Sequence, residues 1–178
     1  TVHLSALGNP NGTGRKLMST EKELMSGEEE QFIKDYVPRE YPSVALTVDL
    51  VVFAVTGSTL NAAFIRRGTH PYKGALALPG GFVLPDEDAL TAAWRELEEE
   101  AGLDLGRHRA HVEQLATFSA PDRDPRMRVV SVAHLALLAT DGRTLPDLAT
   151  GGDAAGAEWL PVYSVLANRN LAFDHREI

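Results

Sequence analysis

An α/β protein with one principal domain is what this sequence predicts, and three observations carry the prediction. Apolar, β-branched runs, foremost SVALTVDLVVFAV at 43–55, read as buried strands. A capped, proline-free run at 88–102 reads as an amphipathic helix. With 178 residues, 44% of them hydrophobic, the chain supports a single well-cored domain plus short extensions.

Residues 1–24 are turn-rich around GNPNGTG and show no periodicity, so a disordered or artificially added extension is expected, with Met18 or Met25 a candidate natural start. Residues 25–42 read as a helix and linker. Ser26-Gly27-Glu28-Glu29 has capping-box spacing, and Phe32, Ile33 and Tyr36 then share one face of a short helix that ends before Pro38. That face is expected to pack on the domain or on a partner subunit. The domain itself spans 43–178.

Its first strand, 43–55, contains one charged residue, Asp49. The turn Thr56-Gly57-Ser58 leads to a second strand at 60–66, followed by a basic loop with Arg66-Arg67-Gly68 and Pro71-Tyr72-Lys73-Gly74, and then a short apolar stretch at 75–78. The loop is placed to meet phosphate, or else is a solvated basic loop.

In the helix at 89–101, Asp88 is the expected N-cap and Gly102 the expected stop. At about 100° per residue, Leu90, Ala93, Leu97 and Ala101 share a core stripe with Trp94 at its edge, while Glu96, Glu99 and Glu100 lie together beside it. Three carboxylates at i, i+3 and i+4 repel one another and oppose the helix dipole, so a cation is wanted there. Hard oxygen ligands on a rigid scaffold suit Mg²⁺ or Mn²⁺. The competing reading is a solvated acidic face.

Downstream, 111–118 and 127–139 read as strands joined by SAPDRDPR. Arg123 and Arg126 in that loop either clamp a diphosphate as two-pronged donors or pair with Asp122 and Asp124. Gly151-Gly152 precedes Asp153, and 158–162 resumes as a strand and short helix. Trp94 and Trp159 are read as core rather than as base platforms.

Composition excludes several classes. The net charge of −8 argues against nucleic acid as the partner of this segment. No cysteine is present, so there is neither disulfide nor thiolate chemistry, in keeping with a cytoplasmic location. No apolar run approaches the roughly 20 residues of a membrane span, and residues 1–24 lack a signal peptide's apolar core. The six histidines are scattered without zinc-ligand spacing, and G-x-S-x-G, P-loop and G-x-G-x-x-G patterns are missing.

One long pattern remains. Gly81, five residues, Glu87, seven residues, Arg95-Glu96-Leu97, one residue, Glu99-Glu100, one residue and Gly102-Leu103 resembles the Nudix box, with every specified position filled over 81–103. ALPGGFV, PDRDPR with SVAHLAL, and LAFDH extend the resemblance to the small ADP-ribose pyrophosphatase branch of that family and to the Nudix domain of NAD-metabolism repressors, over about residues 40–178. The resemblance implies an α/β/α sandwich with a mixed sheet. It implies Glu96, Glu99, Glu100 and the Gly80 carbonyl as ligands of Mg²⁺, with Mn²⁺ able to substitute. Arg95 would orient the carboxylates together with Glu87, and Glu99, ahead of Glu96, would take the proton from water. Arg67, Arg123 and Arg126 would meet the nucleotide.

The expected reaction is hydrolysis of ADP-ribose to AMP and ribose 5-phosphate by a homodimer. Gly156 stands where the family usually has an acidic residue, leaving Asp153 as a substitute. The alternatives are a ligand-sensing repressor domain and a housecleaning hydrolase for another nucleotide. In the repressors the box is commonly eroded and a winged helix follows LAFDH. Here the box is complete, and residues 174–178 read as the opening of a further helix that would lead to any DNA-binding segment.

Overall fold

A computed structural model describes residues 27–37, 42–108, 110–168 and 171–178. The expectation for residues 1–24 lies outside the described residues. The chain divides into two units, 1–42 and 43–178. In the first, helix α1 (Gly27–Asp35) follows the predicted position, with the rings of Phe32 and Tyr36 5.9 Å apart.

The second unit is built on strand β1 (Ala45–Thr56). Its neighbours are β2 (Thr59–Arg67), β3 (Leu76–Ala77), β4 (Gly80–Phe82), β5 (His111–Phe118), β6 (Val129–Leu137) and β7 (Ala154–Pro161). The sheet runs β3-β2-β1-β6-β5, with β4 added to β1 and β7 to β2. β1 and β6 are parallel, from Ala45 opposite Val129 to Phe53 opposite Leu137, and the other pairs are antiparallel, so the sheet is mixed. Packed layers cover both faces of β1, which is why its sequence is mostly apolar, Asp49 apart, rather than alternating.

The two faces of β1 meet different layers. Val48, Leu50, Val52 and Ala54 enter one core with Ala92, Ala93, Leu97 and Ala101 of helix α2 (Ala89–Ala101). Val51 and Phe53 point the other way, toward a second core around Val165 of helix α3 (Val162–Asn168). The result is the α/β/α layering that the sequence suggested. No helix among the described residues is long and apolar enough to cross a membrane.

Helix α2 has the expected ends: Thr91 N donates to Asp88 Oδ1 at 2.8 Å, and Gly102 N donates to Glu98 O. Its buried arc is rotated from the expected stripe. Leu90 is 47% and Trp94 36% exposed, whereas Glu100 is buried. The arc that meets β1 carries Ala92, Ala93, Leu97 and Ala101, and Glu100 is taken up beside it by a bond from Gly80 N of β4, a partner that helical periodicity alone does not reveal. Trp159 packs on the first core and donates from Nε1 to Pro146 O at 2.8 Å, as a core indole requires. Residues 173–177 form successive turns, with His175 N donating to Ala172 O and Glu177 N to Asp174 O, instead of the helix expected there.

These turns are fixed by a buried ionic cluster. Arg123, with only 4% of its side chain exposed, donates from Nε and Nη2 to both carboxylate oxygens of Asp174 at 2.9 and 2.7 Å, and from Nη2 to Asp49 at 3.2 Å. Ser131 Oγ also donates to Asp49, and Leu78 N donates to His175 Nδ1 at 2.9 Å. That leaves Nε2 of His175 facing Asp49 at 3.3 Å, so the neutral ring with its proton on Nε2 satisfies both neighbours. Burial holds the His175 pKa below its ordinary value against the pull of Asp49, consistent with that tautomer. Arg123→Met would leave two buried carboxylates without their counter-ion. Urea unfolding is expected to show a loss of about 3–5 kcal/mol, and a loss under about 1 kcal/mol would show that the cluster does not hold the fold.

Candidate active site

The C-terminal half of α2, strand β4, the 119–128 loop, Gly152-Asp153 and Phe173 border one cleft of about 360 Å³. Its geometry starts from the two glycines of β4. Gly80, at φ 155°, lies so close to β1 that a Cβ would stand 2.1 Å from Val48 O. A Cβ on Gly81 would stand 2.3 Å from Glu96 Oε1. One glycine therefore lets the strand approach β1, and the other leaves room for a carboxylate.

Arg95 organises the acidic groups. Its Nε and Nη2 donate to both oxygens of Glu87 at 3.1 and 2.6 Å, its Nη1 to Glu96 at 2.7 Å and to Glu99 at 3.2 Å, and Nη2 also to Phe82 O at 3.1 Å. Glu87 in turn accepts from Leu84 N at 2.9 Å. The Arg95 bond holds the Glu87 carboxyl below the usual carboxylate range, and the same bond raises the pKa of Arg95. Glu96 behaves differently: burial pushes it up, with Arg95 pulling against that.

Glu100 is the most buried of the group and accepts from Gly80 N at 2.9 Å. Burial pushes its carboxyl up to about 7; the Gly80 amide and Arg67 oppose the rise, while Glu96 and Asp153 add to it. Glu99, with 53% of its side chain exposed, reaches the cleft from the open side. Thr47 Oγ1, buried in the cleft wall, has no hydrogen-bond partner.

The donor set fits a hard divalent cation. Glu96, Glu99, Glu100 and Gly80 all line the cleft, two of the carboxyls are destabilised as anions there, and among the described residues no cation bonds Glu100. No ready-made cage of three acidic side chains stands among the described residues, because Arg95 draws Glu96 and Glu99 to itself and Gly80 N holds Glu100.

The arginines named from the sequence divide. Arg67 lines the cleft, donates from Nε to Pro71 O at 2.8 Å, and has its pKa lowered by burial and by Arg126. Arg126 lines it too, and pairs with Asp124 at 3.0 and 2.7 Å as one of the two sequence readings had it. Arg123 pairs with neither Asp122 nor Asp124 but with Asp174 and Asp49, and forms part of the cleft floor. Asp153 borders the cleft, whereas Gly156 lies within β7 opposite Arg66, whose guanidinium bonds Gly74 O and Glu158. Sequence reasoning missed Asp49, Asp174, His175 and Phe173 as parts of this region. Two signals pointed there: a lone acid in a buried strand, and an aromatic beside an acid and a histidine near the end.

A family model described as the NUDIX domain matches residues 45–178. An ADPR responsive transcriptional repressor, NtrR, from Acinetobacter baylyi is 32% identical over 84% of this chain and 57% of its own length. An ADP-ribose pyrophosphatase from Methanocaldococcus jannaschii is 39% identical over 64% of this chain and 60% of its own. The chain thus spans somewhat over half the length of these relatives. Among solved structures, the NUDIX domain of Shewanella oneidensis NrtR complexed with ADP ribose matches with a TM-score of 0.73 and 29% identity, covering 86% of this chain and 94% of that one. A MutT/nudix family protein from Enterococcus faecalis matches with a TM-score of 0.72 and 30% identity, covering 93% and 71%.

The raised Glu100 pKa has a pH signature. A carboxyl whose folded pKa stands above its unfolded value stabilises the fold below about 4.5, and that contribution is lost as pH rises through about 7. In the metal-free protein, unfolding free energy measured in EDTA from pH 5 to 8 is expected to fall more steeply for wild type than for Glu100→Gln. Parallel curves would mean that Glu100 titrates like an exposed glutamate.

Proposed function

The chain belongs to the Nudix family, and from that premise we propose that it hydrolyses the diphosphate bond of a nucleoside diphosphate derivative with Mg²⁺, ADP-ribose being the substrate and AMP and ribose 5-phosphate the products. The observation that carries this reading is the convergence of Glu96, Glu99, Glu100 and Gly80 on one cleft that Arg67 and Arg126 also line. A divalent cation held by those four residues, Mg²⁺ or in its place Mn²⁺, would neutralise phosphoryl oxygens and lower the pKa of bound water.

The protein's own groups do the rest. Arg95 fixes the directions of Glu96 and Glu99 through its bonds to both. Glu99, the more exposed of the two, is assigned the proton of the attacking water, with Glu96 next in line. As water oxygen bonds to phosphorus, the bond from phosphorus to the bridging oxygen breaks and that oxygen leaves with the other phosphate. Arg67 and Arg126 take the diphosphate charge, and Arg123 supports the floor through Asp49 and Asp174. Asp153 stands in for the acid missing at Gly156.

The likeness to ADP-ribose-responsive repressors supports a second reading, a ligand-sensing domain that binds the same nucleotide without turnover. The complete set of box residues favours hydrolysis, since sensing alone does not require three carboxylates in one cleft.

Incubation with ADP-ribose and Mg²⁺ is expected to release AMP, and Glu99→Gln and Glu100→Gln each to lower kcat by at least about a hundredfold with the fold retained. Neutralising one of three neighbouring carboxylates removes repulsion, so apo thermal midpoints should hold or rise. In parallel, duplex DNA is expected to bind no tighter than non-specific levels of roughly 10⁻⁴–10⁻⁶ M. No AMP release from wild type, together with salt-sensitive and sequence-specific DNA binding, would replace the enzyme reading with the sensor one.

A further inference from the structure

Tyr72, at φ 60°, and Phe173, at φ 53°, are the residues other than glycine that adopt positive φ among the described residues. For bulky aromatics that conformation is uncommon, and it persists only where surrounding contacts impose it. The two residues lie 101 positions apart in sequence and meet ring to ring, edge-on, with centroids 4.8 Å apart. Strained backbone on both sides of one contact marks that contact as the thing being held.

The supports are visible. Ala172 N donates to Leu76 O, Asp174 takes both prongs of Arg123, and His175 is fixed by Leu78 N, so Phe173 is bracketed on each side. Tyr72 O accepts from Ala75 N, and Gly74 N donates to Arg67 O, which closes the 67–75 loop.

Two guanidiniums stand against the Phe173 ring: Arg67 at 4.9 Å and Arg126 at 5.8 Å from its centroid. Arg126 is also 5.4 Å from the Phe82 ring. Arg67 comes from the end of β2 and Arg126 from the 119–128 loop, so the backbone alone does not bring them together. Like charges this close repel, and after burial their proximity is the next cause of the lowered Arg67 pKa. An aromatic face offsets part of that repulsion and sets the approach of each planar group, which Asp124 holds from the other side for Arg126 and Pro71 O for Arg67.

We propose that Phe173, buttressed by Tyr72, is a positioning residue whose ring sets the spacing and tilt of Arg67 and Arg126 so that both guanidiniums address a single diphosphate. The inference rests on the diphosphate reading of the cleft. It assigns the ring to the arginines rather than to the base, since guanidiniums already stand against it. The bland alternative is that Phe173 only fills space beside Ile65, Ala77 and Ala172.

The test pairs steady-state hydrolysis of ADP-ribose with calorimetric binding of inorganic pyrophosphate, which has no base. Phe173→Leu keeps apolar volume and removes the ring. It is expected to raise KM for ADP-ribose about tenfold and weaken pyrophosphate by a similar factor, with kcat within about twofold, and Phe173→Tyr is expected to restore both. Unchanged KM, a loss carried by kcat, or a loss for ADP-ribose alone would each overturn the proposal. If Phe173→Leu lacks a cooperative thermal transition, Tyr72→Leu decides: a severalfold rise in KM supports the buttress and an unchanged KM refutes it. Wild type that neither hydrolyses ADP-ribose nor binds pyrophosphate would sink the diphosphate reading itself, an outcome distinct from an active wild type with indifferent variants.

Discussion

The five N–H groups of Arg95 are shared among Glu87, Glu96, Glu99 and the Phe82 carbonyl, and the site depends on that sharing. Carboxylates stacked on the late turns of a helix repel one another and oppose its dipole. With one planar cation forked between them, the helix, the 83–88 loop and β4 become a single unit. The partners on α2 are one and four residues from Arg95, so the helix itself delivers them. Glu87 comes from outside the helix, and its bidentate pair sets the direction of the guanidinium, which in turn sets the directions of Glu96 and Glu99.

The opposite wall uses the same physics with a different outcome. Arg123 gives its Nε and Nη2 to Asp174 and Asp49 inside the protein, so its charge also holds distant chain segments together. Between the two walls sits Glu100, bonded to the Gly80 amide and pushed toward protonation by burial. A group left in that state is costly as an anion until a cation arrives, whereas Glu87, fully paired, is already satisfied. The contrast between these two glutamates locates where the protein leaves charge uncompensated.

Much of this was legible in the sequence because it is local. The cap at Asp88, the stop at Gly102 and the shared face of Glu96, Glu99 and Glu100 follow from helical spacing, and the Arg95–Glu87 partnership, with Glu87 outside the helix, came from the resemblance of the same 24-residue stretch, 80–103. What was not legible depends on distant pairing. Arg123 looked toward Asp122 and Asp124, yet its partners lie 51 and 74 residues away. β4 is not legible because a three-residue strand has no periodicity to detect, and with it the bond from Gly80 N to the buried Glu100 stays hidden. The LAFDH stretch marked Phe173 only through resemblance, and its contacts with Tyr72, Arg67 and Arg126, each from a different part of the chain, were not legible.

The central claim is that the cleft beside Gly80 is built to receive a divalent cation on α2. Anomalous scattering from crystals grown with Mn²⁺ tests it without reference to any substrate. A peak is expected, bounded by the Gly80 carbonyl and the carboxylates of Glu96, Glu99 and Glu100, and lost in crystals of Glu100→Gln grown at the same Mn²⁺ concentration. No peak there, or a peak of equal height in that variant, would contradict it.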